Sequence, residues 1–464
     1  MNTLPPQAQD RVLSTLNNDG SRRKVRPQLA NGVWLKRRFW LAWSLIGLFV
    51  ALPFLQIKGK PAVLLDLPAR TFTFFGATLR PTDSQLLMVV MLAIFLTIFV
   101  LTALFGRVWC GWGCPQTVYM EFVFRPIERL FEGNRSAQLQ RDERGGWDAR
   151  RIAKFGVYAV LSVVVAHIFL AYFVPVSVLH LWMLQEPSKH PAGFGAVLAT
   201  SALMFFDFAY FREQMCVVIC PYARLQSALL DRQSLVVAYD AKRGEPRGKL
   251  SKIKTSDLSI GDCIDCKACV TTCPTGIDIR DGLQMECLSC TQCIDACDNV
   301  MAKIHRPRGL IRYSSQAALA GEKPKPFRVR VALYVLGLLA LGGVFALFVQ
   351  QRGSAEITVL RGIGAPFTVQ ADGNVNNQVR IKIYNHSGKK RSYAISLENT
   401  EGVQFIAPEN PLRVGSGETR TTSTFAIVAR QQLRDGEKSI VIEVDDGQGA
   451  IRHLPFELLG PKER

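Results

Sequence analysis

Five apolar stretches limit the folds open to this chain more than any other feature: roughly Phe39–Ile57, Gln85–Phe105, Phe155–Val178, Phe194–Phe211 and Val329–Val349. Each is close to the ~20 residues a helix needs to cross a bilayer. A buried core helix could account for any one of them, but five such segments together make the expected scaffold an α-helical transmembrane bundle of five spans. The fourth is the shortest and carries Asp207. An ionisable group inside a span is a functional suspect, although its place near the span end also fits an interfacial position.

The formal net charge of +18 over 464 residues raises the question of nucleic acid. No nucleic-acid-binding motif accompanies it, and the basic residues crowd around the spans as the positive-inside rule requires. Lys36, Arg37 and Arg38 precede the first span. Arg107, Arg125, Arg129, Arg135, Arg141, Arg144, Arg150 and Arg151 follow the second. The loop after the third span has only Lys189, and the loop after the first is intermediate, with Lys58, Lys60, Arg70 and Arg80. The alternation predicts a cytoplasmic N-terminus and, after five crossings, a C-terminus on the opposite side. Residues 1–38, with Arg22, Arg23, Lys24 and Arg26, read as a flexible basic cytosolic tail.

All 12 cysteines fall between Cys110 and Cys297, a distribution that argues for metal ligands and against a disulfide framework. The run Cys263-x2-Cys266-x2-Cys269-x3-Cys273-Pro274 recurs with the same spacing as Cys287, Cys290, Cys293 and Cys297. Three close thiolates can wrap three iron corners of a cubane while the fourth reaches the neighbouring cluster. The expected ligand sets are therefore Cys263, Cys266, Cys269 and Cys297 for one 4Fe-4S cluster, and Cys273, Cys287, Cys290 and Cys293 for the other. Zinc sites do not call for eight thiolates in two copies of this spacing. Asp298 stands where a proline ordinarily follows the last cysteine. With eight cysteines for eight irons, no iron corner stays open, so electron relay is the expected work of a bacterial-type two-cluster ferredoxin domain over 233–327.

The remaining four cysteines form a repeat. Trp109-Cys110-Gly111-Trp112-Gly113-Cys114-Pro115 follows the second span, and Met215-Cys216-Val217-Val218-Ile219-Cys220-Pro221 follows the fourth. Proline disfavours helix at the residue before it, so Cys114 and Cys220 should sit where each helix stops. Four converging thiolates suit Cu(I), zinc or a third iron–sulfur cluster; inert buried cysteines are the plain alternative. Met120 and Met215 could add thioethers but equally fit packing, and Glu121 and Glu213 read as solvated. His167 and His180 lack partners at matching depth, which disfavours bis-histidine haem. No dinucleotide fingerprint appears that would identify an electron donor.

After a fifth span within 328–351, residues 352–464 change character. The runs 381–385, 393–398, 424–429 and 440–444 are β-prone, with turn signals at 372–374 and 386–389 between them. They predict an all-β sandwich of immunoglobulin-like architecture. The second to fourth spans and both cysteine pairs fall, with the first span, in a membrane domain over 39–232.

Together, the segments 108–121, 212–224, the doubled ferredoxin run and Asp372-Gly373-Asn374-Val375-Asn376-Asn377 resemble the cytochrome c oxidase accessory protein of the FixG/RdxA/CcoG type. The resemblance covers nearly the whole chain after the tail. It implies a bacterial inner-membrane protein that reduces Cu(II) to Cu(I) for assembly of a cbb-type cytochrome c oxidase. The implied partners are oxidase assembly factors, copper transporters or chaperones, and a cytosolic electron donor. Cys110, Cys114, Cys216 and Cys220 would bind and reduce copper, with the ferredoxin domain cytoplasmic and the β-domain periplasmic. Two other functions fit the same motifs: a quinol-oxidising membrane ferredoxin feeding a respiratory reductase, and a non-enzymatic copper-binding assembly scaffold.

Overall fold

The computed structural model describes residues 14–461 apart from 18, 20, 58, 80–83, 249–260, 324, 326–327, 352–354, 388 and 399–400. The chain divides into two compact units, Met1–Phe345 and Ala346–Arg464. Residues 1–13 of the expected tail, Lys58 and Arg80 of the first loop, and Gly388 of the expected turn lie outside the described residues.

Among the described residues, four helices are long and apolar enough to cross a membrane: Gln85–Phe105, Ala149–Leu170, Pro191–Phe211 and Val329–Gln350. The first expected span departs from the sequence reading. Its helix runs Val33–Ala51, and Gln56–Ile57 already pairs as a strand with Lys60–Pro61. Pro53 explains the early stop, since it restricts Leu52 and cannot donate to the helix. Lys36, Arg37 and Arg38 occupy the helix itself, so only the part from Phe39 onward is apolar. The third expected span merges two helices. One ends at Leu170 and the next begins at Val176 after Pro175. The fourth helix ends in a wider turn, Asp207–Phe211, where the Arg212 amide donates to the Asp207 carbonyl (2.6 Å) and Arg212 takes φ 55°.

The basic segment before the first helix is folded against the rest, contrary to the expected flexible tail. Thr15 and Arg26 are buried, and the Gln28 amide donates to the Thr271 carbonyl at 2.9 Å. Carboxylates a hundred residues away hold it: Arg26 Nε donates to Asp142 (2.9 Å), and Arg26 also pairs with Glu128. Polar composition alone cannot reveal such distant partners.

The ferredoxin region is tied by an antiparallel pair, Val236–Tyr239 with Ile311–Ser314. Ile277, Ile279, Ile294 and Met301 share its core with the cysteines. The helix Gln292–Lys303 meets the first helix end-on. The Asp295 carboxylate accepts from the amides of Trp34 (3.2 Å) and Leu35 (2.7 Å), serving the orphan donors of that helix's first turn.

In the second unit one sheet runs in the order 403–406, 419–428, 375–385, 355–361, and the other 412–414, 391–397, 437–445, 451–459. Val375, Val379, Ile381 and Ile383 alternate inward and meet Tyr393, Ile395, Ile442 and Val444 in one core. This period of two is what a half-buried strand requires. The immunoglobulin-like expectation holds.

Candidate redox site

Both cysteine pairs adopt the same local device. Cys110 lies in the short helix Val108–Trp112, and Cys216 lies in the wide turn Met215–Ile219. Cys114 and Cys220 are extended residues (ψ 124° and 108°) immediately before the helices opened by Pro115 and Pro221. In each motif the second cysteine's amide donates five residues back, Cys114 to the Trp109 carbonyl and Cys220 to the Met215 carbonyl, both at 2.8 Å. The proline sets this geometry by excluding helix at the cysteine before it. Equivalent sequence therefore produces equivalent structure.

The four thiols come within one another's electrostatic reach. Burial is the main cause that pushes up Cys110, to about 11, and raises Cys114 and Cys216 as well; the neighbouring members of the quartet add to it. A soft cation entering such a site must displace protons and supply the charge that the interior lacks. Cys110 Sγ donates to Gln226 Oε1 at 3.0 Å, and Gln226 Nε2 donates to the Tyr222 hydroxyl at 2.8 Å. Gln116 Nε2 joins the first motif to the fourth span by donating to Asp207 Oδ1 (3.1 Å) and to the Arg212 carbonyl (3.2 Å). Asp207 thus faces the site.

The first thiol loop packs directly on the ferredoxin. Cys110, Leu288 and Cys290 share one buried cluster, with Cys216 and Tyr222 against it. A Cβ on Gly111 would stand 2.5 Å from the Leu288 carbonyl oxygen and 2.9 Å from Cys290 Cα, so only glycine permits this approach. Trp112 Nε1 donates to the Tyr313 hydroxyl, which donates to the Ser289 carbonyl, each at 2.9 Å. Trp34 stands edge-on to both rings.

Cys273 lines one small cavity with Cys269, Cys287, Cys290 and Cys293. Cys297 feels the thiols of Cys263, Cys266 and Cys269. Eight thiols gathered in this region fit a pair of iron–sulfur clusters. Burial pushes Cys290 and Cys297 up to about 12, as expected of ligands whose charge a cluster must offset.

Comparison with known proteins agrees with this architecture. Residues 87–134 match a 4Fe-4S binding domain, residues 211–316 a 4Fe-4S dicluster domain, and residues 345–461 the IG-like fold at the C-terminus of FixG. Protein RdxA of Cereibacter sphaeroides is 34% identical over 82% of this chain and 84% of its own length. The chain belongs to the FixG/RdxA family. Protein RdxB of the same organism is 32% identical over 88% of this chain and 90% of its own length. The nitrogen fixation protein FixG of Rhizobium meliloti is 32% identical over 81% and 79%. This FixG/RdxA-family chain is a membrane iron–sulfur protein of electron transfer.

Several residues of this FixG/RdxA-family site carry roles that sequence reading missed. Glu213, expected on a solvated face, is buried and pairs with Arg22 at 3.1 Å and Arg125 at 3.6 Å. Glu121 pairs with Arg125. Met120 is buried among Tyr119, Phe124 and Phe208, which favours packing over ligation. His167 Nδ1 meets the Val163 carbonyl of its own helix at 2.7 Å. Arg38, read from sequence as a mark of orientation, is 1% exposed, and its Nε donates to the Gly111 carbonyl at 3.0 Å. Spacing within a helix gives no hint of that partner.

Proposed function

We propose that the chain passes single electrons from its ferredoxin domain to the Cys110, Cys114, Cys216 and Cys220 quartet, where Cu(II) is the substrate and Cu(I) the product. The reading rests on one observation above all, the seating of Gly111 and Cys110 against Leu288–Cys290. When bound, the clusters supply one electron at a time, and Cu(II) accepts one. Thiolates hold the softer Cu(I) better than harder oxygen donors do, so the quartet favours the product. Gln226 keeps the Cys110 proton on a defined acceptor until the metal displaces it. Within the same reading, the ferredoxin face is cytoplasmic and the β-domain lies across the bacterial inner membrane. The copper then serves assembly of a cbb-type cytochrome c oxidase through copper carriers and assembly factors.

The test is anaerobic. Purified protein is assayed for iron and copper, reduced, then mixed with Cu(II) and a Cu(I) chelator. About eight irons per chain are expected, with Cu(I) formation lost in a Cys110→Ala/Cys216→Ala variant. About twelve irons would instead assign the quartet to a third cluster. Equal Cu(I) formation in variant and wild type would remove copper from the site.

One observation favours a second reading, oxidation of a membrane quinol. An apolar groove of about 770 Å³ lies between the Ser84–Phe105 and Val329–Gln351 helices, lined by Val90, Ile94, Thr97 and Phe345 and reaching Trp109 and Tyr222. Tyr222 continues through Gln226 to Cys110, so a quinol head at that end would have a hydrogen-bonded route to the thiols. Ala93→Trp, which fills the groove, should then abolish reduction of the clusters by a quinol analogue and leave reduction by dithionite unchanged. Unchanged reduction by both would dismiss the quinol.

A further inference from the structure

The Arg38 guanidinium is buried, and neither Nη1 nor Nη2 has a hydrogen-bond partner. Its Nε is used on Gly111, and its face lies 5.3 Å from the Phe122 ring centroid. A buried cation without a counterion is strongly disfavoured, so a structure that keeps one implies an anion yet to be counted. Gly111, which accepts from Arg38, is seated on the second cysteine group, since a Cβ there would stand 2.9 Å from Cys290 Cα. Arg107 flanks the same group: it is 3% exposed, its Nε lacks a partner, and its Nη1 donates to the Met285 carbonyl, two residues before Cys287. Glu121 also bears on Cys290, but it is paired with Arg125.

The other cysteine group has the opposite surroundings. Arg280 reaches Asp265, the neighbour of Cys266, and is neutralised by it and by Asp278, both at 2.6 Å. Asp298 directly follows Cys297 in the chain. Four thiolates and four sulfides leave an oxidised 4Fe-4S centre with net charge −2 and a reduced one with −3, so uncompensated cations beside a centre favour its reduced form.

We infer that Arg38, with Arg107 as auxiliary, is the countercharge that makes the cluster of Cys273, Cys287, Cys290 and Cys293 the higher-potential member of the pair. Resting on the iron–sulfur electron-transfer reading, this gives the relay a direction. An electron entering at the Cys263, Cys266, Cys269 and Cys297 cluster, where Cys266 is exposed, settles next to the thiol loop. The one-electron reduction of the second cluster is balanced by one-electron oxidation of the first. Arg38 is a positioning and tuning residue in this scheme, and it touches no substrate.

The experiment is an EPR-monitored redox titration of the full chain in detergent, with mediators and dithionite. Wild type with about eight irons and two reduction waves meets the underlying iron–sulfur reading; a chain without those irons fails that reading itself, separately from the inference. Arg38→Gln should move the higher-potential wave downward and leave the lower one in place, while Arg38→Lys should hold the higher wave near its wild-type position. Asp298→Asn should raise only the lower wave. If Arg38→Gln retains only about four irons, the charge is needed to form the second cluster, and Arg38→Lys must restore about eight. An unmoved higher wave in Arg38→Gln, movement of the lower wave instead, or equal movement in the Gln and Lys variants would overturn the inference.

Discussion

Single residues hold the two halves of the redox site together, and Gly111 is the most exacting. Because a Cβ there would meet the Leu288 carbonyl at 2.5 Å, Gly111→Ala should push the thiol loop off the ferredoxin loop at a stability cost of about 1–3 kcal/mol. Iron content should survive, whereas the rate of Cu(I) formation after dithionite reduction should fall, which stopped-flow with a Cu(I) chelator would measure. Glu128 acts in another way. It binds Arg212 through both oxygens (3.0 and 2.8 Å) and also pairs with Arg26 and Lys154. Burial works against its charge, but Arg212 and Arg26 prevail and hold its carboxyl well below the usual range. A depressed folded value stabilises the protein fully above the ordinary glutamate range of about 4.3. The contribution is lost as pH falls below that range. Glu128→Gln should therefore lower stability at pH 7 by about 3–5 kcal/mol, as expected when a buried pair loses one partner. Thermal melts should show the gap to wild type narrowing in acid.

At the level of elements, periodic and locally punctuated features were legible in sequence. The doubled ferredoxin run is local, so its spacing alone announces a two-cluster domain. The two Cys-x3-Cys-Pro repeats carry their own stop in the proline, so both motifs end in an extended cysteine. The β-unit was legible for the same reason, since residues such as Val379, Ile381 and Ile383 alternate without interruption. What failed was whatever depends on a distant partner. The segment around Arg26 reads as a tail until Glu128 and Asp142 are brought to it, and Arg38 reads as a topological marker until Gly111 lies beside it. Length alone also misjudged two spans: Pro53 stops the first helix early, and a turn over 171–174 with Pro175 opening a new helix splits the third. The β-unit has a core of its own, so residues 355–461 expressed separately should unfold in one cooperative transition. Ile442→Ala, at a site with no exposure, should lower that stability by about 2–5 kcal/mol, measured by chemical denaturation with circular dichroism.

For the molecule as a whole, the structural links between ferredoxin and membrane helices make the Met1–Phe345 unit one device. Asp295 caps the first helix, and Gly111 seats the second span's thiol loop on Leu288 and Cys290. Cutting either of these should loosen both halves. Asp295→Ala should cost about 1 kcal/mol by loss of the cap alone, and hydrogen exchange should rise at Trp34 and Leu35 together with the Gln292–Lys303 helix. Exchange confined to one side would show that the cap does not couple them.

The Asp295 cap also has a consequence for manufacture. The amides of Trp34 and Leu35 are made about 260 residues before the carboxylate that receives them. Arg38, one turn further along, finds Gly111 sooner, but Gly111 in turn awaits the loop of Leu288 and Cys290. Three of the four long helices, through Pro191–Phe211, precede the Asp295 carboxylate in the chain and must be made before the first helix can be capped. The last of the long helices, Val329–Gln350, is still to come. The first helix thus waits on residues made much later, and until they arrive its leading amides have no carboxylate to receive them.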